Sequence, residues 1–233
     1  MNLACVWEHN GNDTLLYAQD FPGVYGRGAN LDAAEEKILL DLQAYCRWLN
    51  MSIPKKPTIE IAVDAPSDLN IADADSDALL PGEETPLTSE EYAKLKAIAL
   101  KSAADFLTLY QSVPKENHPI SPIRRTFYGN IPSTAKEMYD HTKNVNAYYF
   151  AEIGIDADND GTIVECRQRA FEFLEATPGY LENTVFEGSY GERWSLRKVF
   201  RRFVWHDRIH GKAMYRRSVA TFGVETILNP FCF

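Results

Sequence analysis

Cysteine is scarce in this chain, and one long stretch lacks lysine and arginine altogether. The four cysteines, Cys5, Cys46, Cys166 and Cys232, are scattered with no CxxC pair. That spacing argues against a disulfide framework and a cysteine-built zinc site, and it fits a reducing cytoplasm. No apolar run approaches the roughly 20 residues needed to cross a bilayer. The opening MNLACVWEHNGNDTLLY has no basic region followed by an apolar core, so no signal peptide is expected. Residues 64–86 hold seven Asp+Glu and no Lys or Arg. With Pro66, Pro81, Gly82 and Pro86 among them, residues 66–87 read as a self-repelling acidic linker, a simpler account than metal loading by Asp73, Asp75 and Asp77. Basic residues are few before the linker too. Residues 1–88 carry 5 Lys+Arg against 15 Asp+Glu, and the remainder carries 19 against 18. The acidic half is a poor nucleic-acid binder, since phosphate contacts need cations. The asymmetry predicts two modules, 1–65 and 88–233, on either side of the linker. A content of 45% hydrophobic and 24% charged residues fits a folded soluble protein.

The first module reads β-β-β-α-β. LACVWE (3–8) and TLLYA (14–18) are β-prone, and the turn formers at 9–13 between them predict a hairpin. A short third strand ends at Gly28. Asn30 is a suitable N-cap for a helix to about Asn50, with Leu31, Ala34, Ile38, Leu42, Tyr45 and Leu49 on one face. After Pro54 and Pro57, TIEIAV (58–63) alternates as a strand.

The run Tyr17 to Gly28, YAQDFPGVYGRG, followed by a helix opening at Asn30-Leu31-Asp32, resembles the HicB-like antitoxin domain. That family carries a D-x-P-G-x-x-x-x-G turn before a helix beginning Thr-Leu-Glu-Glu-Ala. Here Asn30 stands for the Thr, and Asp32-Ala33-Ala34 for Glu-Glu-Ala. The resemblance implies an α+β interaction module that joins a protein partner or a second copy of itself. HicB domains are usually followed by a short DNA-binding motif, whereas a far larger segment follows here.

The second module predicts four amphipathic helices in an all-α four-helix bundle. Thr88 and Glu91 form a capping box for the first, which runs to about Val113. Thr134 and Glu137 form another for the second, running to about Ile153 with a stripe of Thr134, Met138, His141, Val145 and Tyr148. Ile163–Ala176 is the third, with Cys166, Ala170, Phe173 and Leu174 inward. The fourth spans Trp194–Arg217, with Gly223 near its end. Its stripe of Val199, Phe203, His206, His210, Ala213 and Met214 points to a core, and Arg197, Arg201, Arg202, Arg208, Lys212 and Arg216 form an opposite, solvated face. The apolar tail 227–233 is expected to pack back onto the bundle.

His206 and His210 lie one turn apart on one face, and His141 faces the same interior from another helix. Three imidazoles bind Zn²⁺, Ni²⁺ or Fe²⁺ and leave a position for water or substrate, where a water would become a usable nucleophile near neutral pH. Tyr148, Phe203 and Met214 are candidate substrate-pocket walls. No catalytic base can be named.

Residues 88–225 resemble the DinB-like (damage-inducible, YfiT-type) superfamily of bundles. That family has one histidine on the second helix, here His141 in MYDHTKNVNAYYF, and an H-x3-H pair on the fourth, here His206 and His210 in WSLRKVFRRFVWHDRIHGKAMYRR. It implies a divalent metal and, for some members, transfer of a low-molecular-weight thiol.

Two rival motifs are weaker. His206-Asp207-Arg208-Ile209-His210 is similar to the zincin H-E-x-x-H, but Asp is one methylene short of the base, and only Glu225 follows as a third ligand. Asp207 should lie about 100° round the helix, at the site's edge or in solvent. Asp156 to Ile163, DADNDGTI, matches the first eight positions of an EF-hand loop, but Arg167 stands where the bidentate Glu belongs, so a capped interhelix turn is expected. Two readings of the whole follow. One is a metal-dependent hydrolase or thiol transferase. The other is an antitoxin-like interaction protein whose bundle is a scaffold, with its metal structural or absent.

Overall fold

The computed structural model describes residues 1–67, 71, 78–122, 124–126 and 129–233. Asp73, Asp75 and Asp77 lie outside the described residues. The chain forms two compact units, Met1–Ala78 with Phe231–Phe233, and Leu79–Pro230. No helix among the described residues is long and apolar enough to cross a membrane. The cysteines are unpaired.

The first unit is a four-stranded sheet with one helix. Strands β1 (Asn2–Asn10), β2 (Asp13–Ala18), β3 (Tyr25–Gly28) and β4 (Thr58–Pro66) lie in the order β3-β2-β1-β4. The β1–β2 and β2–β3 pairs are antiparallel, and β1–β4 is parallel, with a register shift between Cys5 and Val6. A two-residue loop, Gly11-Asn12, closes the β1–β2 hairpin, with Gly11 at φ 59° as such turns require. Helix α1 (Leu31–Trp48) starts where the Asn30 side chain accepts from the Ala33 N–H at 2.9 Å. It lies hard against β3. A Cβ on Gly26 would stand 2.2 Å from the Ala34 carbonyl oxygen and 2.7 Å from the Ile38 nitrogen, and one on Gly28 would stand 2.6 Å from the Ala34 nitrogen. Both obstacles are backbone, which cannot swing aside. Gly26→Ala is therefore expected to destabilise this unit by about 3 kcal/mol, the upper range for overpacking, read from urea unfolding.

The second unit is mostly helical: α2 (Ser89–Gln111), α3 (Ala135–Ala151), α4 (Ile163–Glu175) and α5 (Leu196–Phe222). Reciprocal capping boxes open α2 at Thr88/Glu91, α3 at Thr134/Glu137 and α4 at Thr162/Glu165. Helices α2 and α3 each pack against both α4 and α5. Two small hairpins lie in connections that carry no strand signal, β5 (Arg124–Thr126) with β6 (Gly129–Ile131), and β7 (Phe186–Glu187) with β8 (Arg193–Trp194).

Three expectations change here. Most of the basic face of α5 is not solvated: every residue from Lys198 to Arg208 is buried, Arg197 and Lys212 are half-buried, and Arg216 is exposed as expected. Its buried cations have partners within the protein, some of them distant in sequence. Arg201 binds the Glu83 carboxylate at 2.5 and 3.1 Å, Lys198 meets Glu192 at 2.7 Å, and the Arg202 guanidinium lies 5.2 Å from the Tyr149 ring centre. The carboxyl end of the acidic stretch accordingly belongs to the helical unit. Besides Glu83, Asn183 donates to the Glu83 and Thr85 carbonyls at 2.7 and 2.8 Å, and Arg197 to those of Thr85 and Pro86 at 2.9 and 2.7 Å. The tail divides. The Leu228 N–H donates to the Ser112 hydroxyl at 3.1 Å, while Phe231 is buried in the first unit with its ring centre 5.3 Å from that of Trp48.

Candidate metal centre

Helix α5 carries His206 and His210 one turn apart, and α3 brings His141 to them. The ring centroids are 4.4 Å apart for His206 and His210, 4.7 Å for His141 and His210, and 5.1 Å for His141 and His206. One nitrogen from each ring can be chosen so that all three lie within 4.8 Å of one another. Three nitrogens about 2.1 Å from a common ion at tetrahedral angles are about 3.4 Å apart. Modest side-chain rotation covers that difference, and the group can hold a metal ion.

Burial is graded across the cluster. His206 is 5% exposed, His210 is half-buried and His141 is exposed. His141 is thus not on the inward stripe of α3; the buried face there is Ala135, Met138, Tyr139, Thr142, Asn146, Tyr149 and Phe150. It stands at the rim and leaves one side of the cluster open to water. Burial, helped by His210, His141, Arg202 and Arg167, pushes the His206 pKa well below its usual value. Burial, with His141 and Arg217 beside it, pushes His210 down to about 3. Both are neutral at pH 7, the state in which an imidazole has a lone pair to give. His206 Nδ1 is buried with no hydrogen-bond partner. A buried polar atom left so costs about 1–3 kcal/mol, which a metal bound at that nitrogen would help offset.

The proposed pocket walls are placed differently. Phe203 and Met214 have no exposed surface, and Phe203 packs among Tyr149, Phe150 and Phe171. Both are core residues and do not face the opening. Tyr148 is half-buried, its ring 6.0 Å from Trp194, and burial with Glu152 nearby raises its pKa. Asp207 is neither at the site's edge nor in solvent. It is wholly buried and gripped by Arg167 of α4, Nη1 to Oδ2 at 2.5 Å and Nη2 to Oδ1 at 3.1 Å. Arg167 was legible as an oddity: Ile163, Arg167, Ala170, Phe171 and Leu174 form the buried stripe of α4, with a guanidinium in an apolar row and Phe173 exposed.

The acidic turn before α4 is spent on the fold. Asp158 pairs with Arg169, and the Asn159 side chain accepts from the Ala147 N–H at 3.0 Å and donates to the Asn144 carbonyl at 3.1 Å. A separate cavity of about 310 Å³, lined by Trp7, Gly11, Asn12, Thr14 and Asn30–Asp32 in the first unit, contains none of the three histidines. Comparison with protein-family models, curated proteins and solved structures finds no match to this chain.

Proposed function

We propose that the helical unit is a DinB-like four-helix bundle that binds one divalent metal through His141, His206 and His210, and that it serves a hydrolase or low-molecular-weight-thiol transferase. The observation that carries this reading is the meeting of three imidazoles from two helices, with one nitrogen from each within 4.8 Å of the others. A bound ion would supply a Lewis acid at an open coordination position. The chain's own residues hold it and keep one flank dry. His206 anchors the core side, and Tyr149, its ring centroid 6.1 Å from that of His206, walls the interior. Exposed His141 leaves the solvent side free for a substrate. Among the described residues the cluster that could hold an ion contains three histidines and no carboxylate. A thiol, with a pKa of about 8.5, is a substrate that a bound cation would help to ionise near neutrality. Metal analysis of the untagged full chain is expected to give one divalent ion per chain. A protein that is metal-free, and whose melting temperature ignores both chelator and added Zn²⁺, Ni²⁺ or Fe²⁺, overturns the reading.

The interaction reading draws on the first unit alone. In its favour, β4 pairs on one side only among the described residues, and Ile61 on it is exposed. Against it, the same strand carries Glu60, Asp64, Pro66 and the register shift against β1, the devices by which edges avoid pairing. The metal reading is the better supported. A full-chain dimer in light scattering that Ile61→Lys dissociates would reverse that order.

A further inference from the structure

We infer that Arg167 and Asp207 are positioning residues for the metal centre, setting the rotation of α5 so that His206 and His210 face His141. The inference rests on the metal reading above. Asp207 directly follows His206, and its side chain leaves the helix about 100° away from the imidazole. Whatever fixes Asp207 therefore fixes the direction of His206 and, one turn on, of His210. The fixing is directional. Arg167 grips both carboxylate oxygens, donates to the Ala99 carbonyl of α2 at 3.1 Å, and lies 4.1 Å from the centre of Phe203, one turn before Asp207. One guanidinium on α4 thus meets two other helices.

Apolar packing around α5 is non-directional and tolerates small rotations. A ring about 5 Å from the helix axis moves about 1.3 Å when the helix turns by about 15°. Side-chain rotation absorbs part of such a shift, but metal–ligand distances tolerate only about 0.2 Å, so rings that must strain to reach the ion bind it more weakly. A buried ion pair is weak evidence of added stability, because desolvation offsets much of its attraction, and register is its best-attested use. This pair is not built for stability alone, since Arg167 Nε is buried without a partner.

The test replaces the pair by apolar side chains, Arg167→Met with Asp207→Leu, in the full chain. The readouts are chelated-state melting temperature, Zn²⁺ affinity and the visible spectrum of the Co²⁺-loaded protein. The expected result is a folded protein that melts within a few degrees of the parent, binds Zn²⁺ ten- to a hundredfold more weakly and has an altered Co²⁺ spectrum, the range seen when groups that orient ligands are removed. Arg167→Lys, which keeps the charge but loses the fork, should weaken Zn²⁺ binding and alter the spectrum in the same sense. Parent-like affinity and spectrum in both variants overturn the inference. So does a double variant that fails to fold, because the pair would then be holding the fold itself. A parent chain that binds no Zn²⁺ or Co²⁺ fails earlier, and overturns the metal reading instead.

Discussion

His206→Ala is expected to abolish metal retention while leaving the chelated protein nearly as stable as the parent. The two effects separate because they have different origins. Structural zinc in small domains binds with roughly 10–16 kcal/mol spread over about four ligands, so one imidazole contributes about 3 kcal/mol, a hundredfold or more in affinity. Without metal, the truncation opens a cavity but also removes a buried nitrogen that has no partner. Each of those terms is about 1–3 kcal/mol and they oppose. Metal at about 100 times its dissociation constant stabilises by about 2.7 kcal/mol. For a protein of this size that raises the melting temperature by about 5–10 °C. The parent should show that rise in a thermal melt and His206→Ala should not. His141→Ala is the cleaner control, because the exposed rim position supports little packing. A variant at 206 that keeps the metal-dependent rise would mean the ion, if any, sits elsewhere.

Much of this architecture is legible in the chain because it is local. Thr88/Glu91 and Thr134/Glu137 announce two helix starts, and both boxes form. Asn30 caps α1 as its side chain suggests. The i, i+4 spacing of His206 and His210 places them together whatever the rest of the molecule does. What escaped is whatever depends on a distant partner. Periodicity sorts residues by polarity, and a buried arginine looks like a solvated one until its carboxylate is known. Glu83 lies 118 residues from Arg201, and Asp207 lies 40 from Arg167. The same blindness made Leu79–Leu87 look like a free linker, when its charges and carbonyls are partners that α5 requires. His141 was misplaced for a related reason. The stripe through Met138 and Val145 is plausible on spacing alone, but Tyr139, Thr142, Asn146, Tyr149 and Phe150 turn α3 so that His141 stands at the rim. For a site that must exchange ligands with water, the rim is the more useful place.

Acid should destabilise the chelated protein well above the range where carboxylates titrate, and the histidine pair gives the size of the effect. An unfolded histidine titrates near pH 6.5. In the folded chain His206 is held well below that value and His210 at about 3, mainly by burial. Below pH 6.5 the unfolded chain therefore takes up protons that the folded chain refuses. Linkage fixes the sign: the stability is fully present above 6.5 and is lost as pH falls towards the folded values. Between pH 7 and pH 5 His210 removes about 2 kcal/mol, and His206 adds a loss of the same sign, against the 5–15 kcal/mol typical of a folded domain. The capping carboxylates Glu91, Glu137 and Glu165 are shifted downward, so their losses begin only at lower pH. Urea unfolding in chelator at pH 7, 6 and 5 measures the slope, and a His206→Gln, His210→Gln double variant should flatten it. A parent curve that is level across this window would show that their surroundings do not hold these two rings neutral. The same shifts bear on loading. On the folded chain neither His206 nor His210 has to lose a proton before binding metal, so acid should empty the centre by unfolding the apo chain rather than by protonating these two donors.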